Sequence, residues 1–362
     1  MLILRLQPKN NYFCIVNIHE KYIERCIALA KNGLGTTYPN PMVGSVIVYN
    51  DTIIGEGWHK KSGEGHAEVN AINSVKDKSL LKKATIYVSL EPCSHFGKTP
   101  PCCDLIIKNE IPYVVVGTVD PNIQVAGNGI KRLVAAGAKV TVGILEKECN
   151  QLNKRFFTFH LKKRPYIILK WAESNDGFIA PENKDEQKPV WITNAYSRQL
   201  VHKWRSEEQA ILVGTQTVLD DNPKLDVRHW TGANPVRVVL DQNNRIPNSL
   251  HVFDNQVKTI FISKSKPETE QENCLFESID FEQNIASQVT EVLYKHKIQS
   301  VIIEGGRQTL QTFITANLWD EARIFIGNVS FKTGTTAPEI ARKNLEKFAI
   351  LDDELIKIFN HD

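Results

Sequence analysis

Cysteine is scarce in this chain. Seven residues in 362 (Cys14, Cys26, Cys93, Cys102, Cys103, Cys149 and Cys274) form an odd, scattered set. That argues against the disulfide framework of a small secreted domain. Long apolar runs are missing as well, and nothing approaches the roughly 18 residues that a transmembrane helix needs. The apolar patch Tyr12–Ile18 is short and is interrupted by Asn17. No signal-peptide pattern accompanies it, so a cytoplasmic protein is expected. An excess of either charge is also lacking. The 44 basic and 41 acidic residues leave a formal net charge of +3, which gives no basic field to make nucleic acid the default partner. Neither an internal repeat nor a low-complexity segment is visible.

What is present is ordinary globular usage, 42% hydrophobic and 23% charged. At about 150 residues per domain the length fits two domains or three. Apolar periodicity predicts a helix over Glu20–Asn32, with Gly33 at its C-cap. Strands are expected at Val43–Val48, Thr52–Glu56 and Thr85–Leu90, and helices at Glu68–Val75 and Cys102–Lys108. Tyr113–Val119 is continuously apolar, the pattern of a strand covered on both faces. A helix over Gly129–Ala136 and a strand over Ala138–Val142 follow. This alternation predicts an α/β layer fold. Leu161–Pro165 is polar and ends in proline, which places a domain boundary there. Beyond it, strands are expected at Tyr166–Trp171, Ala210–Val213, Val236–Leu240, Thr259–Ile262 and Ser300–Ile303, with helices near 194–205, 283–295 and 307–316. Residues 264–282 read as loop.

Three of the seven cysteines fall within residues 93–103, which favours a metal site. The decisive pattern is His66-Ala67-Glu68, then Pro92-Cys93, then Cys102 after eight intervening residues. One imidazole and two thiolates suit zinc, and three protein ligands leave a fourth position open. Zinc-dependent deaminases as a class carry this signature, with the glutamate a proton carrier and not a ligand. His66 follows Gly65 and opens a predicted helix, and Cys102 follows Pro100-Pro101 and opens another. A helix N-terminus favours a thiolate. The structural alternative is a closed four-ligand zinc site, with His95 or Cys103 as the fourth donor.

The surrounding residues resemble a known family. Thr37-Tyr38-Pro39-Asn40-Pro41-Met42-Val43-Gly44, His66-Ala67-Glu68-Val69 and Leu90-Glu91-Pro92-Cys93-Ser94-His95-Phe96-Gly97-Lys98-Thr99-Pro100-Pro101-Cys102 are similar to the bifunctional deaminase/reductase family of riboflavin biosynthesis. Cytidine and tRNA adenosine deaminases have a short Cys-x-x-Cys, whereas the long SHFGKTPP insert marks the riboflavin enzymes. The resemblance runs from about 18 to 326, through Asp120-Pro121-Asn122, Ser174-Asn175-Asp176-Gly177, Trp191-Ile192-Thr193, Thr217–Pro223 and Glu304-Gly305-Gly306. It implies an N-terminal cytidine-deaminase-like α/β/α domain over 18–162. A dihydrofolate-reductase-like α/β domain that uses NADPH is implied over 163–362.

In such a family the first domain hydrolyses the 2-amino group of a diaminopyrimidinone with a phosphoribosylamino arm. The resemblance makes His66, Cys93 and Cys102 the zinc ligands and Glu68 the proton shuttle. Asn40, His95 and Lys98 become substrate contacts, the last two near the phosphate. The second domain reduces the opened ribosyl carbon. Its implied substrate contacts are Lys170, Arg205, Asp221, Leu225, Arg228 and Glu304, with Asp221 the acid and Lys170 an alternative orienting group. Glu173, Trp191, Thr217, Gln242, Gly306, Arg307, Gln308, Thr309, Leu310, Gln311 and Thr312 would face NADPH.

Departures from the family pattern stand at Glu173, Pro189, Gln242 and Asn328–Pro338. Gly127-Asn128-Gly129 is no dinucleotide fingerprint, because Arg132 replaces the third glycine. Gly305-Gly306, between a predicted strand and a helix, is the better phosphate cradle. Arg198, His202 and Arg205 share one helical face, and a solvated basic stripe accounts for the first two. The resemblance also implies a homo-oligomer. Competing readings are a deaminase with a degenerate second domain as scaffold, and a nucleic-acid editing protein, which the charge balance disfavours.

Overall fold

A computed structural model of the chain describes residues 17–94, 100–121, 126–183, 187, 189–267, 272–343 and 345–360. Two compact units emerge. Unit 1 takes the described residues up to Asn32 together with Met42–Leu152, and unit 2 takes Gly33–Pro41 and the residues from Asn153 onward.

In unit 1 the elements run α1 (Ile18–Ala30), β1 (Gly44–Tyr49), β2 (Thr52–Trp58), α2 (Ala67–Ser74), β3 (Thr85–Leu90), α3 (Cys102–Lys108), β4 (Tyr113–Thr118), α4 (Asn128–Ala135), β5 (Lys139–Val142) and α5 (Glu146–Leu152). The Asn17 side chain caps α1 by accepting from the His19 N–H. The sheet order is β2-β1-β3-β4-β5. β1 is antiparallel to β2 and β3, while β3, β4 and β5 are parallel. β4 is buried on both faces except at Tyr113, as its continuous apolar run predicts. Helix α1 lies close on β1, since a Cβ at Gly44 would sit 2.0 Å from the Cys26 carbonyl. Ile47, Ile72, Ile86, Val88, Ile106, Val114, Val116 and Leu133 form the apolar core beneath α2 and α3. Because β3 and β4 are parallel, their carboxyl ends share one edge. That is the edge where open α/β sheets place their ligands.

Unit 2 contains α6 (Lys154–Lys162), β6 (Tyr166–Ser174), β7 (Phe178–Pro181), α7 (Ala195–Glu207), β8 (Ala210–Gly214), α8 (Thr215–Asp221), β9 (Val236–Leu240), β10 (Thr259–Ser263), β11 (Cys274–Ser278), α9 (Ile285–Lys295), β12 (Ser300–Gly305), α10 (Arg307–Thr315), β13 (Glu321–Gly327), β14 (Gly334–Thr336), β15 (Leu345–Ile350) and β16 (Asp353–Phe359). Nine strands form one sheet in the order β11-β10-β9-β8-β12-β6-β13-β16-β15, and β14 pairs with β7. Strands β11 through β13 in that order are parallel, and β16 and β15 continue antiparallel. Ile167, Leu169, Leu212, Val238, Ile260, Ile303, Phe313 and Ile324 lie in its core.

Two features differ from the sequence reading. Residues 264–282, expected as loop, contain β11. Among the described residues it is an edge strand paired with β10, and within it Cys274 alone is buried, so its apolar signal is weak. Helix α6 groups with unit 2, which therefore begins ahead of the proline-ended stretch Leu161–Pro165.

Candidate active site

In unit 1, His66 is the extended N-cap residue of α2, and Glu68 stands in the first turn. Cys93 lies three residues past the end of β3, and Cys102 is the first residue of α3. Pro101 precedes Cys102 and needs no amide hydrogen there. His66 Nδ1 lies 3.2 Å from Cys102 Sγ and 3.5 Å from Cys93 Sγ. The Cys102 N–H donates to Cys93 Sγ at 3.3 Å, and the Cys103 N–H donates to the Cys93 carbonyl at 3.2 Å.

All three donor atoms fall within 4.8 Å of one another. Tetrahedral zinc with ordinary Zn–N and Zn–S lengths separates N from S by about 3.6 Å. The donor types and their spacing therefore fit zinc. Cys103 stays out of the group. Its thiol points to Asp104 Oδ1 at 3.7 Å, and burial pushes it up to about 11. Among the described residues the group has three protein donors, the number of an open site.

The electrostatics agree. The Cys93 thiol is pushed down to about 4, chiefly by a hydrogen bond from Cys102 and further by His66. Cys102 moves up through the same bond. A dication held by both sulfurs would let both ionise. Burial, then the Cys93 charge, pushes the Glu68 carboxyl up to about 7. A carboxyl at that value both takes and gives a proton near neutral pH. His59, which the sequence did not single out, is buried and sets its ring edge-on to His66 with centroids 5.3 Å apart. His95 and Lys98 lie outside the described residues. Asn40 lies in the Gly33–Pro41 segment of unit 2, where its N–H donates to the Thr37 carbonyl at 2.8 Å.

Unit 2 holds a cavity of about 1440 Å³ at the carboxyl ends of β6, β8, β9 and β12. Lys170, Arg205, Asp221, Arg228 and Glu304 line it, as do Trp191, Thr217, Gln242 and every residue from Gly306 to Thr312. Two expected residues do not. Leu225 is buried in an apolar cluster with Ile211, Val213 and Val218. Glu173 is buried, accepting from Trp171 Nε1 at 2.9 Å and pairing with Arg342 at 2.6 Å.

The charged lining is six basic side chains (Lys170, Arg198, Arg205, Arg228, Arg245 and Arg307) against Asp220, Asp221 and Glu304. That balance suits phosphorylated ligands. Arg205 grips Glu304 through Nη2 at 2.7 Å. Burial pushes the Glu304 carboxyl up, but Arg205 and Lys170 outweigh it and hold it at about 2. Gly306, the N-cap of α10, has no side chain, and among the described residues no side chain is seen accepting from the first amides of the helix, which suits them to a phosphate. Gly305 lets Thr217 approach this turn, because a Cβ there would lie 2.9 Å from Thr217 Oγ1.

His202 corrects the solvated-stripe reading. It is buried and lines the cavity, with Nδ1 3.1 Å from the Asp226 carbonyl. Burial, then Arg205 and Arg228, pushes it down to about 4. Arg198 lies 4.8 Å over the Trp191 ring and also lines the cavity. Arg245 was not anticipated either, since a lone arginine after a strand carries no sequence signal.

Comparison with known proteins gives each unit a family. Residues 16–118 match the cytidine and deoxycytidylate deaminase zinc-binding region, and residues 165–337 match the RibD C-terminal domain. The riboflavin biosynthesis protein RibD of Aquifex aeolicus is 37% identical over 92% of this chain and 93% of its own. That of Escherichia coli is 37% identical over 85% and 87%. A Thermotoga maritima structure, described as a diaminohydroxyphosphoribosylaminopyrimidine deaminase/5-amino-6-(5-phosphoribosylamino)uracil reductase, superposes with a TM-score of 0.84 at 36% identity, covering 94% of this chain and 98% of that one. RibD of Acinetobacter baumannii gives 0.85 at 31% identity, covering 95% and 99%. With a zinc-deaminase donor set in its first unit and a phosphate-suited cavity in its second, the chain belongs to the RibD family of bifunctional riboflavin-biosynthesis enzymes, which join a deaminase to a reductase.

Proposed function

We propose that unit 1 deaminates 2,5-diamino-6-(5-phosphoribosylamino)pyrimidin-4(3H)-one. Unit 2 then reduces the ribosyl arm with NADPH to give 5-amino-6-(5-phosphoribitylamino)uracil. The observation that carries the reading is the buried Glu68 beside His66, Cys93 and Cys102 in a chain that also holds a basic cavity.

His66, Cys93 and Cys102 would hold zinc, which supplies Lewis acidity to acidify water towards a pKa of about 7. Glu68 takes the proton of the attacking water and returns it to the departing amine, so that ammonia leaves as a neutral molecule. Asn40, His95 and Lys98 are assigned to the substrate on the family pattern.

In unit 2, NADPH supplies the hydride. Thr217 and the first turn of α10 would hold its phosphates through hydroxyl and backbone N–H groups, and Trp191 and Gln242, which line the same cavity, would border it. Arg205 and Arg228 take the substrate phosphate, for which a guanidinium fork is suited. Glu304 keeps Arg205 in place. Asp221, on the cavity wall, gives a proton to the ring oxygen freed as the sugar opens, or to the nitrogen that stays bonded to the reduced ribosyl carbon, and Lys170 orients that end of the substrate.

A coupled assay tests the reading: ammonia release, then NADPH oxidation, on one sample of the phosphoribosylaminopyrimidine. Both signals are expected in that order. Ammonia without NADPH oxidation would remove the second step, and silence in both would overturn the whole reading.

A further inference from the structure

Glu91 stands two residues before Cys93 and is 5% exposed. Its carboxylate accepts four backbone N–H groups. Oε2 takes those of Asp120 at 3.3 Å and Gly127 at 2.9 Å. Oε1 takes those of Gly129 at 2.9 Å and Ile130 at 3.3 Å. Three of these four belong to the N-cap and first turn of α4, whose N-cap residue, Gly127, has no side chain to cap it. Glu91 therefore caps α4 from another element, with a charge of the sign that a helix start favours. Contact at this point is close, because a Cβ on Gly129 would sit 2.1 Å from the Pro92 carbonyl oxygen.

One turn further along α4, Arg132 extends to two more segments. Its Nη1 donates to the Ser94 carbonyl at 3.4 Å, and its Nη2 lies 2.7 Å from Asp104 Oδ1. Ser94 follows Cys93. Asp104 is on α3, two residues after Cys102. Helix α4 thus holds the chain before and after Cys93 and also holds the helix that carries Cys102.

A pair of ligands two residues apart has its spacing set largely by one tight turn. Here eight residues separate Cys93 from Cys102, so the covalent chain constrains the two sulfurs weakly. The Cys102 and Cys103 N–H groups tie the two segments directly by donating to Cys93, and α4 braces both segments from a third element. We propose that Glu91, acting through α4 and Arg132, is a positioning residue that sets the separation of Cys93 Sγ and Cys102 Sγ. This rests on the reading that His66, Cys93 and Cys102 hold zinc.

The test measures metal retention in the full chain, without reference to turnover. Zinc transfer from wild type, Glu91→Gln, Arg132→Met and Arg132→Lys to a chromogenic chelator is followed in time. The absorption bands of each cobalt-substituted protein are then recorded. Glu91→Gln keeps the shape but loses one acceptor and points an amide at N–H donors. It is expected to release zinc about 10- to 100-fold faster and to shift the sulfur-to-cobalt bands, the range seen when outer partners of metal ligands are removed. Arg132→Met should move both readouts in the same direction, and Arg132→Lys should recover part of the loss. NADPH binding by unit 2 should stay at the wild-type level in all three.

Wild-type release rates and cobalt bands in both Glu91→Gln and Arg132→Met would overturn the proposal. Wild-type protein that holds no zinc would instead overturn the metal reading beneath it. Should Glu91→Gln fail to fold, Arg132→Met decides alone, since its side chain is 46% exposed and its removal leaves the core intact.

Discussion

Arg205 Nη2 lies 2.7 Å from Glu304 Oε2, with Nε 3.4 Å from Oε1, so one edge of the guanidinium faces one carboxylate on the wall of the unit 2 cavity. Both side chains are nearly buried, at 12% and 9% exposure. Lys170, half-buried, adds a second positive charge beside the same carboxylate. Glu304 thus balances two cations that would otherwise repel each other, while Arg205 Nη1 donates to the Asp226 carbonyl at 3.3 Å.

Removing that balance has a pH signature. A carboxyl held at about 2 when folded, below its ordinary 4.5, contributes stability above pH 4.5 and loses it as pH falls through 2. Glu304→Gln should therefore lower the unfolding free energy by about 3 kcal/mol at pH 7, because Arg205 and Lys170 lose their counter-charge. The gap from wild type should narrow between pH 4.5 and pH 2. Urea unfolding across that range is the check, and a gap independent of pH would contradict the assignment.

Glu68→Gln should keep zinc yet slow ammonia release by about 100- to 10,000-fold, the usual worth of a positioned proton carrier. Metal analysis and an ammonia assay on one preparation separate the two effects. Turnover that survives the substitution would remove Glu68 from proton transfer.

Asp221→Asn should leave deamination untouched and slow reduction by about 100-fold or more, with NADPH affinity unchanged. The comparison needs both half-reactions on one sample. Equal losses in both would point to damaged folding and not to a lost acid.

Gly305→Ala tests the phosphate turn. The new methyl would meet Thr217 Oγ1 at 2.9 Å and push α8 away from the start of α10. NADPH affinity, read by fluorescence titration, should fall about tenfold, a cost of about 1.4 kcal/mol. Deamination should be unchanged. Wild-type affinity would mean that this turn does not hold the cofactor.

The two sites differ in how far they could be read from residue order. His66 and Glu68 are two apart at a helix start, and Cys102 follows two prolines. Each is a local signal, so the residue order alone was enough to single out this His–Cys–Cys group and the glutamate beside it. Much of the second site was legible only through family likeness, and even that put Glu173 and Leu225 at the cavity. Glu173 instead faces Trp171 and Arg342, and Leu225 packs into the core beside Val218. His202 looked like a surface residue on a polar helix face. Its burial comes from the Asp226–Arg228 loop folding against α7, a contact between residues 24 apart.

Local spacing and side-chain chemistry were enough to specify an α/β chain, the clustered His66, Cys93 and Cys102, and the glycine turn that opens α10. Those features depend on residues a few positions apart, whose geometry a single helix start or turn imposes. Tertiary structure alone decided what faces the reductase cavity, which elements cap one another, and how Glu91 reaches the amides of a helix some forty residues away. Such contacts form only when distant segments exclude water together, so no period or motif along the chain encodes them.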